Sequence, residues 1–302
     1  MISGSARLAG VIGHPVSHSR SPLLHNHWLA RHGIDGAYVP LPVPPERLET
    51  ALRGLRAAGF AGLNVTVPHK QAVAAFCDEL DEAASRTGSV NTLVFTADGR
   101  CLGSSTDGAG FLASLRAAGV DARTGPVLLL GAGGAALALA ASLLAHGIPV
   151  LVANRTRERS EALARRLATA AGPAPRHAVP GPGVRVLDWA AWPAALADVA
   201  LLVNTTSLGM RGQPALPTDL SRAGARLVVA DIVYVPLETA LLAAARARGL
   251  RTVGGLGMLL HQAVPGFAAW FGVTPEVDDE VTALLASSVA ASGQPAATDA
   301  SG

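Results

Sequence analysis

The sequence is poor in cysteine, since Cys77 and Cys101 are the only two among its 302 residues. Two cysteines cannot form the framework of several disulfides that stabilises small secreted domains. The chain also has no recognisable secretory leader. We therefore expect a protein of the reducing cytoplasm.

Charge of one sign is also scarce, because 24 Lys and Arg residues nearly balance 22 Asp and Glu residues, for a formal net charge of +2. The basic residues form no block and are not interleaved with aromatic residues, so nucleic-acid binding is not predicted. Four early histidines (His14, His18, His25 and His27) have no carboxylate or cysteine at ligand spacing. We therefore predict no metal site.

Residues 125–154 contain no Asp, Glu, Lys or Arg, and this segment is long enough to span a bilayer. However, Gly131, Gly133 and Gly134 interrupt it, and a His-Gly-Ile-Pro sequence at 146–149 interrupts it again. The pattern is more typical of a strand, a turn, a helix, a turn and a strand buried in a parallel α/β layer. No membrane association is predicted.

Short apolar runs alternate with helical stretches along the chain, which predicts α/β domains with mostly parallel sheets, and the length predicts two such domains. In the first third we expect strands at 8–12, 37–43 and 63–67, helices at 22–32, 46–58 and 71–86, and a hairpin of 90–95 with 101–103. After a helix at 108–118, we expect strands at 127–130, 150–153, 184–187, 200–204 and 227–231, and helices at 135–145, 157–170, 241–248 and 258–270. Residues 172–183 are predicted to be a loop, and the small, polar tail 292–302 to be disordered.

A glycine-rich turn follows the apolar run 127–130 and precedes a helical stretch. Gly131 permits a tight turn, and Gly133 allows the backbone to approach a pyrophosphate. The amides at the start of the following helix can then hold the phosphates. Because strand, turn and helix are all in place, a dinucleotide site is favoured over a turn that serves packing alone.

The next strand indicates which dinucleotide binds. NAD-binding folds place Asp or Glu about 20 residues after the turn, on the ribose 2′-hydroxyl. This chain instead has Asn154, Arg155 and Thr156, with Arg157 and Arg159 close behind. A guanidinium can engage a 2′-phosphate, and cations at a helix start oppose the helix dipole unless they have such a purpose. NADP is therefore the predicted cofactor.

Four polar segments of the first third lie at 13–22, 64–70, 90–93 and 105–108. Loops that follow strands of an open α/β sheet gather at one edge, where ligands bind. Lys70 lies at a helix start, which is unfavourable for a cation, so a proton-transfer role beside a carboxylate is favoured. Ser21 before Pro22 and Asp107 could instead cap helices, and Asn91 could stabilise a turn.

These segments resemble shikimate dehydrogenases in order and spacing, from about residue 8 to about residue 285. The motifs that carry the resemblance lie at 18–22, 64–70, 90–93, 105–108, 131–135, 154–156, 204–210, 231–236 and 255–263. Each motif is weak by itself, whereas together they are highly specific.

The resemblance implies an α/β protein with an N-terminal substrate domain and a Rossmann-type NADP domain, and an active site in the cleft between them. It implies residues 1–107 with 256–290 as the substrate domain, 108–255 as the NADP domain, and 291–302 as a disordered tail. It further implies NADPH-dependent reduction of 3-dehydroshikimate to shikimate by a monomer or homodimer.

The resemblance also assigns roles to individual residues. Lys70 and Asp107 would be the catalytic pair. The substrate would be bound by Ser19, Ser21, Thr66, Lys70, Asn91, Asp107, Tyr234 and Gln262. NADP would be bound by Glu82, Gly131, Ala132, Gly133, Gly134, Ala135, Asn154, Arg155, Thr156, Arg159, Ile232 and Gly255.

Three residues depart from the pattern of the family: Ser105 stands where Asn is common, Leu137 where Arg is frequent, and Thr205 where Ala is usual. Two other functions stay open. The enzyme could accept quinate as well as shikimate, or the chain could be a catalytically silent homologue that binds a cofactor or substrate.

Overall fold

The computed structural model describes residues 2–170 and 183–291, which form two sheets of six strands each. The first part contains β1 (Arg7–Gly13), α1 (Ser21–Arg31), β2 (Gly36–Pro42), α2 (Leu48–Ala57), β3 (Gly62–Val65), β4 (Glu79–Leu80), α3 (Glu82–Thr87), β5 (Thr92–Phe95), β6 (Cys101–Ser104) and α4 (Asp107–Ala117). The second part contains β7 (Val127–Leu130), α5 (Gly134–Ala145), β8 (Val150–Ala153), α6 (Arg157–Ala170), β9 (Val184–Leu187), α7 (Trp192–Ala195), β10 (Leu201–Asn204), β11 (Val228–Asp231), α8 (Ala240–Ala247), β12 (Arg251–Val253), α9 (Leu256–Phe271) and α10 (Asp279–Ala291).

The first sheet has the order β2-β1-β3-β5-β6-β4. Its pairs are parallel except where β5 runs antiparallel to β3 and β6. Alternate residues of β1 supply the two cores of this layer. Ala9 and Val11 pack with α1, α9 and α10, whereas Ile12 faces the side of α2. The expected mostly parallel sheet and its hairpin are confirmed.

The second sheet is parallel throughout, in the order β12-β11-β10-β7-β8-β9. This is the doubly wound strand order of a Rossmann fold. From β7 the chain adds strands first on one side and then, from β10, on the other, so the switch point lies between β7 and β10. All four residues of β7 are buried because helices cover both faces of the sheet, as parallel sheets require. The uncharged segment 125–154 folds as β7, α5 and β8, as expected, and no helix among the described residues is long and apolar enough to cross a membrane.

The two sheets are joined by α4 and α9, which cross closely. A Cβ added at Gly110 of α4 would lie 2.7 Å from the backbone nitrogen of Gln262 of α9. Glycine therefore allows the approach, and it brings Gln262 beside the start of α4.

The prediction of one helix over residues 71–86 is wrong. A 3-10 helix covers Ala72–Phe76, β4 follows, and α3 begins at Glu82. Tertiary contacts break the helix: the Asp78 carboxylate accepts a hydrogen bond from the Cys101 amide at 2.7 Å, and Asp81 caps α3 through the Ala84 amide at 2.6 Å. Strand β12 and helix α7 are further elements that we did not expect. The predicted loop 172–183, apart from its last residue, and the predicted tail 292–302 lie outside the described residues.

Candidate active site

A cavity of about 460 Å³ opens between the two sheets, at the edge of the first sheet where β1 and β3 end and β5 begins. All eight residues expected to bind substrate border it, namely Ser19, Ser21, Thr66, Lys70, Asn91, Asp107, Tyr234 and Gln262. Ile232 and Gly255, expected near the nicotinamide, border the same cavity. One concave site thus joins side chains from both sheets.

Lys70 and Asp107 form an ion pair in this cavity. The Nζ of Lys70 donates a hydrogen bond to Oδ2 of Asp107 at 2.5 Å, and the two side chains are 27% and 11% exposed. Asn91 donates through Nδ2 to the other carboxylate oxygen at 2.8 Å. Because both carboxylate oxygens are held, the carboxylate fixes the position of the ammonium, whose remaining N–H groups are available to a ligand.

The loop that carries Lys70 is tied to its surroundings on both sides. The buried ring of His69 forms a hydrogen bond with the Val43 carbonyl at 2.6 Å through Nε2. The Lys70 carbonyl accepts from the Val90 amide at 2.8 Å. These hydrogen bonds hold the backbone on both sides of Lys70, at the edge of the first sheet that borders the cavity.

Asn91 connects three elements around the ion pair. Its Oδ1 accepts from the Thr106 amide at 2.9 Å, and its Nδ2 also lies 3.3 Å from Oε1 of Gln262. The Thr106 hydroxyl donates to the Gln262 carbonyl at 2.8 Å. Asn91 is thus a junction between β5, α4 and α9, rather than the stabiliser of a local turn.

The capping alternatives for Ser21 and Asp107 are wrong. Arg20 and Thr106 occupy the cap positions of α1 and α4, and neither helix start has a side-chain cap bond. Ser21 is buried in the first turn of α1, where its amide donates to the hydroxyl of Ser19 at 3.3 Å. The hydroxyl of Ser21 and the carboxylate of Asp107 therefore do not cap these helices.

The glycine turn lies between β7 and α5, beside the switch point of the second sheet. Gly131 has φ +113°, and a Cβ there would lie 2.8 Å from Oγ1 of Thr205 on the neighbouring strand end. Around Gly133 and Gly134 no atom beyond the adjoining backbone lies within 4 Å of an added Cβ. The open backbone at the amino end of a 12-residue helix fits a pyrophosphate.

The end of β8 fits a phosphorylated ribose. Asn154 donates through Nδ2 to the Thr156 carbonyl at 2.9 Å, while Arg155, Thr156 and Arg159 are exposed. Arg157 is already bound to the carboxylates of Glu161 and Asp188. Within the described residues Arg155 and Arg159 have no ion pair, so two guanidinium groups are available to an anion.

Asp231 organises the side of the cavity that belongs to the second sheet. Its buried carboxylate accepts hydrogen bonds from Asn204 Nδ2 at 3.0 Å, the Val233 amide at 3.0 Å and the Thr239 hydroxyl at 2.7 Å. Burial raises the pKa of Asp231, and these three donors oppose that rise. The network holds the backbone on either side of Ile232, which borders the cavity.

The chain is similar to known proteins over nearly its whole length. Three family models match in chain order: a shikimate dehydrogenase substrate-binding domain at residues 11–93, shikimate / quinate 5-dehydrogenase at 113–174, and a shikimate 5′-dehydrogenase C-terminal domain at 255–279. A shikimate dehydrogenase (NADP+) of Acidiphilium cryptum is 58% identical over 286 residues, which cover 95% of this chain and 98% of that protein. The chain belongs to the shikimate dehydrogenase family.

Solved structures of similar proteins agree with this family. Shikimate 5-dehydrogenase of Thermus thermophilus in complex with NADP(H) and shikimate is 35% identical, with a TM-score of 0.81 and coverage of 94% of this chain and 99% of that one. Quinate dehydrogenase of Corynebacterium glutamicum in complex with NAD is 33% identical, with a TM-score of 0.84 and coverage of 93% and 99%.

Two of the three departures from the shikimate dehydrogenase pattern have local structural explanations. Nothing in the structure explains Ser105, whose backbone amide donates to the Asp81 carboxylate at 3.3 Å as any other residue except proline could. Leu137 is 7% exposed and packs in the core against β7. The Thr205 hydroxyl donates to the Leu130 carbonyl at 2.7 Å. None of the three removes a group from the cavity.

Glu82, which is expected near the nicotinamide with Ile232 and Gly255, does not border the cavity with them. It is exposed on the first turn of α3, is paired with Arg86 at 2.6 Å, and borders a separate groove beside α5. Conversely, Val67 and Met210 border the cavity although they are 65% and 40% exposed. Both lie inside the family motifs, but an apolar side chain in a loop carries no chemical signal by which to single it out.

Proposed function

We propose that this protein catalyses the NADPH-dependent, reversible reduction of 3-dehydroshikimate to shikimate, a step toward chorismate and the aromatic amino acids. The observation that carries the proposal is the Lys70–Asp107 pair, at 2.5 Å, in a cavity bordered by both sheets. The 58% identical protein of Acidiphilium cryptum is a shikimate dehydrogenase (NADP+), which supports the proposed activity and cofactor.

The cavity supplies hydrogen-bonding groups that suit a small polyhydroxylated acid. In our proposal the hydroxyls of Ser19 and Ser21 bind the substrate carboxylate. The remaining groups would bind its hydroxyls and ring, namely Thr66, Asn91, Tyr234 and Gln262. Such a mixture of hydroxyl, amide and phenol groups is a typical way to orient a sugar-like ring.

For the cofactor, we assign the pyrophosphate to the turn Gly131–Ala135, the 2′-phosphate to Asn154, Arg155, Thr156 and Arg159, and the nicotinamide end to Ile232 and Gly255. When bound, NADPH supplies the hydride that the reduction adds to the ketone carbon. The exposed guanidinium groups at the end of β8 support NADP over NAD, because a carboxylate there would repel a 2′-phosphate.

Lys70 is the proposed proton donor. As the ketone is reduced, negative charge develops on its oxygen, and the ammonium stabilises that charge and transfers a proton to it. Asp107 keeps the lysine in place and accepts a hydrogen bond from the hydroxyl that forms. In the reverse direction the neutral amine of Lys70 takes the proton back. General-acid assistance of this kind contributes roughly 10²- to 10⁴-fold.

We further propose that residues 1–107 with 256–290 form the substrate domain, that 108–255 form the NADP domain, and that the enzyme acts in the cytoplasm as a monomer or homodimer. The free thiols of Cys77 and Cys101 are consistent with a reducing compartment. Light scattering of the purified protein measures the oligomeric state.

Steady-state rates with shikimate and quinate, each with NADP+ and with NAD+, test the proposed function through the absorbance of the reduced nicotinamide. We expect the highest kcat/KM with shikimate and NADP+. Comparable values with quinate would support the broader quinate/shikimate activity. No reduction of NADP+ by shikimate would refute the proposal and favour a silent homologue.

A further inference from the structure

The cavity offers its proposed substrate little positive charge. Its charged lining residues are Lys70 and Asp107, which form an ion pair and neutralise each other. Shikimate carries a carboxylate that is ionised at neutral pH. The hydroxyls of Ser19 and Ser21 can donate hydrogen bonds to this anion, but they bring no charge. An anion bound in the cavity would therefore gain from a further cation.

His18 is the lining residue that can supply this cation. Apart from the ion pair, the titratable residues that border the cavity are His18 and Tyr234, and a phenol cannot become positively charged. An imidazole ordinarily changes its charge between about pH 5 and about pH 8. When it is protonated, His18 is a lining cation to which the structure gives no carboxylate partner among the described residues.

A turn fixes the place of His18 in the cavity wall. The Ser19 amide donates to the Val16 carbonyl at 3.0 Å, which makes His18 the third residue of a four-residue turn. Val16 anchors this turn, because it is buried in the core that β1 and α1 share. Pro15, Val16, His18 and Ser19 all border the cavity. His18 therefore lies beside the serine that we assign to the substrate carboxylate.

The imidazole of His18 is available to a ligand. The residue is exposed, and its ring makes no hydrogen bond or ion pair with the described residues. Other early histidines are occupied by the fold: His69 binds the Val43 carbonyl at 2.6 Å, and His25 is stacked on Tyr38 in the core. An anion can thus bind the ring of His18 without breaking a contact of the protein.

We infer that His18 is a specificity residue, whose protonated imidazole binds the substrate carboxylate beside the hydroxyls of Ser19 and Ser21. This inference rests on the proposed function. His18 takes no part in proton transfer to the ketone oxygen, so it lowers KM for anionic substrates and leaves the chemical step unchanged. Neutral analogues of the same ring gain nothing from its charge, and its contribution is lost as the pH rises and the imidazole becomes neutral.

Other charged and titratable groups near His18 have to be separated from it. Arg20, two residues away, is cationic at every pH of the test. Burial raises the pKa of Tyr234, which the charge of Arg20 opposes, and the phenol stays neutral below about pH 9. Lys70 and Asp107 act on the chemical step. Comparison of each variant with wild type at the same pH removes what these groups contribute to both.

The test measures KM and kcat for shikimate and for its methyl ester, which lacks the negative charge, at saturating NADP+ from about pH 5.5 to about pH 8.5. His18→Asn removes the titratable charge, and His18→Lys carries a charge over this whole range. His14→Asn is the matched control, because His14 is an exposed histidine of the same loop that does not border the cavity. Circular dichroism and the melting temperature verify that each variant is folded.

For His18→Asn we expect KM for shikimate to rise roughly 3- to 10-fold at about pH 5.5 with kcat nearly unchanged, since an exposed hydrogen bond between charged groups is lost. At about pH 8.5, where the wild-type imidazole is neutral, the two KM values should agree within about twofold. His18→Lys should keep KM low at both ends of the range. The kcat/KM for methyl shikimate should stay within about twofold of wild type in every variant, and His14→Asn should match wild type with both substrates.

An NMR titration of the His18 ring protons provides a test that does not depend on turnover. Because linkage between two binding events is reciprocal, saturating shikimate should move the midpoint of this titration to higher pH, whereas methyl shikimate should leave it in place.

An equal loss of kcat/KM for shikimate and its methyl ester in His18→Asn would overturn the inference, because it would show a merely structural role. An unchanged KM for shikimate at about pH 5.5, or a titration midpoint that shikimate does not move, would overturn it as well. Failure of the wild-type protein to oxidise shikimate with NADP+ would instead refute the proposed function itself, so the two failures are distinguishable.

Discussion

Replacement of Lys70 by methionine tests the proposed chemistry directly. Methionine keeps much of the length of the side chain but can neither donate a proton nor carry charge. We expect kcat to fall by roughly 10²- to 10⁴-fold. That loss corresponds to about 2.7–5.5 kcal/mol in the activation barrier, at about 1.36 kcal/mol for each factor of ten.

The effect on folding should be much smaller. Asp107 loses its partner at 2.5 Å but keeps the hydrogen bond from Asn91 at 2.8 Å. Because the Lys70 side chain is 27% exposed, water can replace part of the ion pair. We expect the free energy of unfolding to decrease by about 1 kcal/mol, which a urea titration measures.

Binding of NADP+ provides the internal control for this experiment. Lys70 belongs to a loop of the first sheet, whereas the glycine turn follows β7 in the second sheet. The dissociation constant for NADP+ should therefore stay within about twofold of wild type, as measured by calorimetry. In the double variant with Asp107→Asn the loss of kcat should be far less than the product of the single losses, since the pair acts as a unit.

A Lys70→Met enzyme that is folded, binds NADP+ and turns over within tenfold of wild type would refute the assignment of the proton donor. Lys70→Arg separates the two roles of the lysine. Arginine keeps the charge but does not release its proton in this pH range, so we expect kcat to stay low.

Three further predictions concern the cofactor and stability. Gly131→Ala should lower the free energy of unfolding by about 1–3 kcal/mol, because φ is +113° and the added Cβ meets the end of the neighbouring strand. Gly133→Ala should leave the melting temperature unchanged and weaken NADP+ binding, because its added Cβ would lie where the pyrophosphate approaches. Arg155→Gln should raise KM for NADP+ roughly tenfold and KM for NAD+ little, while Arg157→Gln, whose guanidinium is bound to carboxylates, should change both little. Burial lowers the pKa of His25 to about 3 from its ordinary 6.5, so the unfolded state binds the additional proton between these pH values. Stability should then fall as the pH drops below about 6.5, by up to about 1.4 kcal/mol per pH unit, and His25→Phe should remove this part of the slope in urea titrations.

Each of these predictions has a contrary result. Equal melting temperatures for the two glycine variants would contradict the steric argument at Gly131. Equal losses for NADP+ and NAD+ in Arg155→Gln would contradict a contact with the 2′-phosphate. An unchanged acid dependence in His25→Phe would show that the imidazole is not held neutral, although its ring is stacked on Tyr38 with centroids 4.1 Å apart.

The parts of the fold that the sequence predicts best are those governed by local pattern. The run from β7 through α5 to β8 is an apolar strand, a glycine turn, an alanine- and leucine-rich helix and a second apolar strand, and each is buried as its composition requires. The break at Asp78 and Asp81 could not be predicted, because both carboxylates bind backbone amides on other segments. Helical periodicity is a local signal and does not register such contacts.

The candidate site shows the same division. The serine, lysine and aspartate of the site could be predicted from the sequence, because they follow predicted strands and ligands bind at that edge of an open α/β sheet. The hydrogen bonds that Asn91 makes to Thr106 and Gln262 depend on how α4 crosses α9. Gly110 permits that crossing, but a glycine in a helical sequence does not indicate which helix packs against it. Only the resemblance points to Glu82, which begins the short, separately capped α3 and borders another groove.

The packing of α9 and α10 against β1 has a consequence for how the protein is made. Ala9, Val11 and Trp28 share a core with Phe267, Trp270 and Leu285, which are translated after all twelve strands. The unit from β7 to β12, in contrast, is contiguous in the chain and can complete its layers while synthesis continues. We therefore expect one apolar face of the first sheet to stay uncovered until α9 and α10 have been translated, so the second sheet completes its folding before the first.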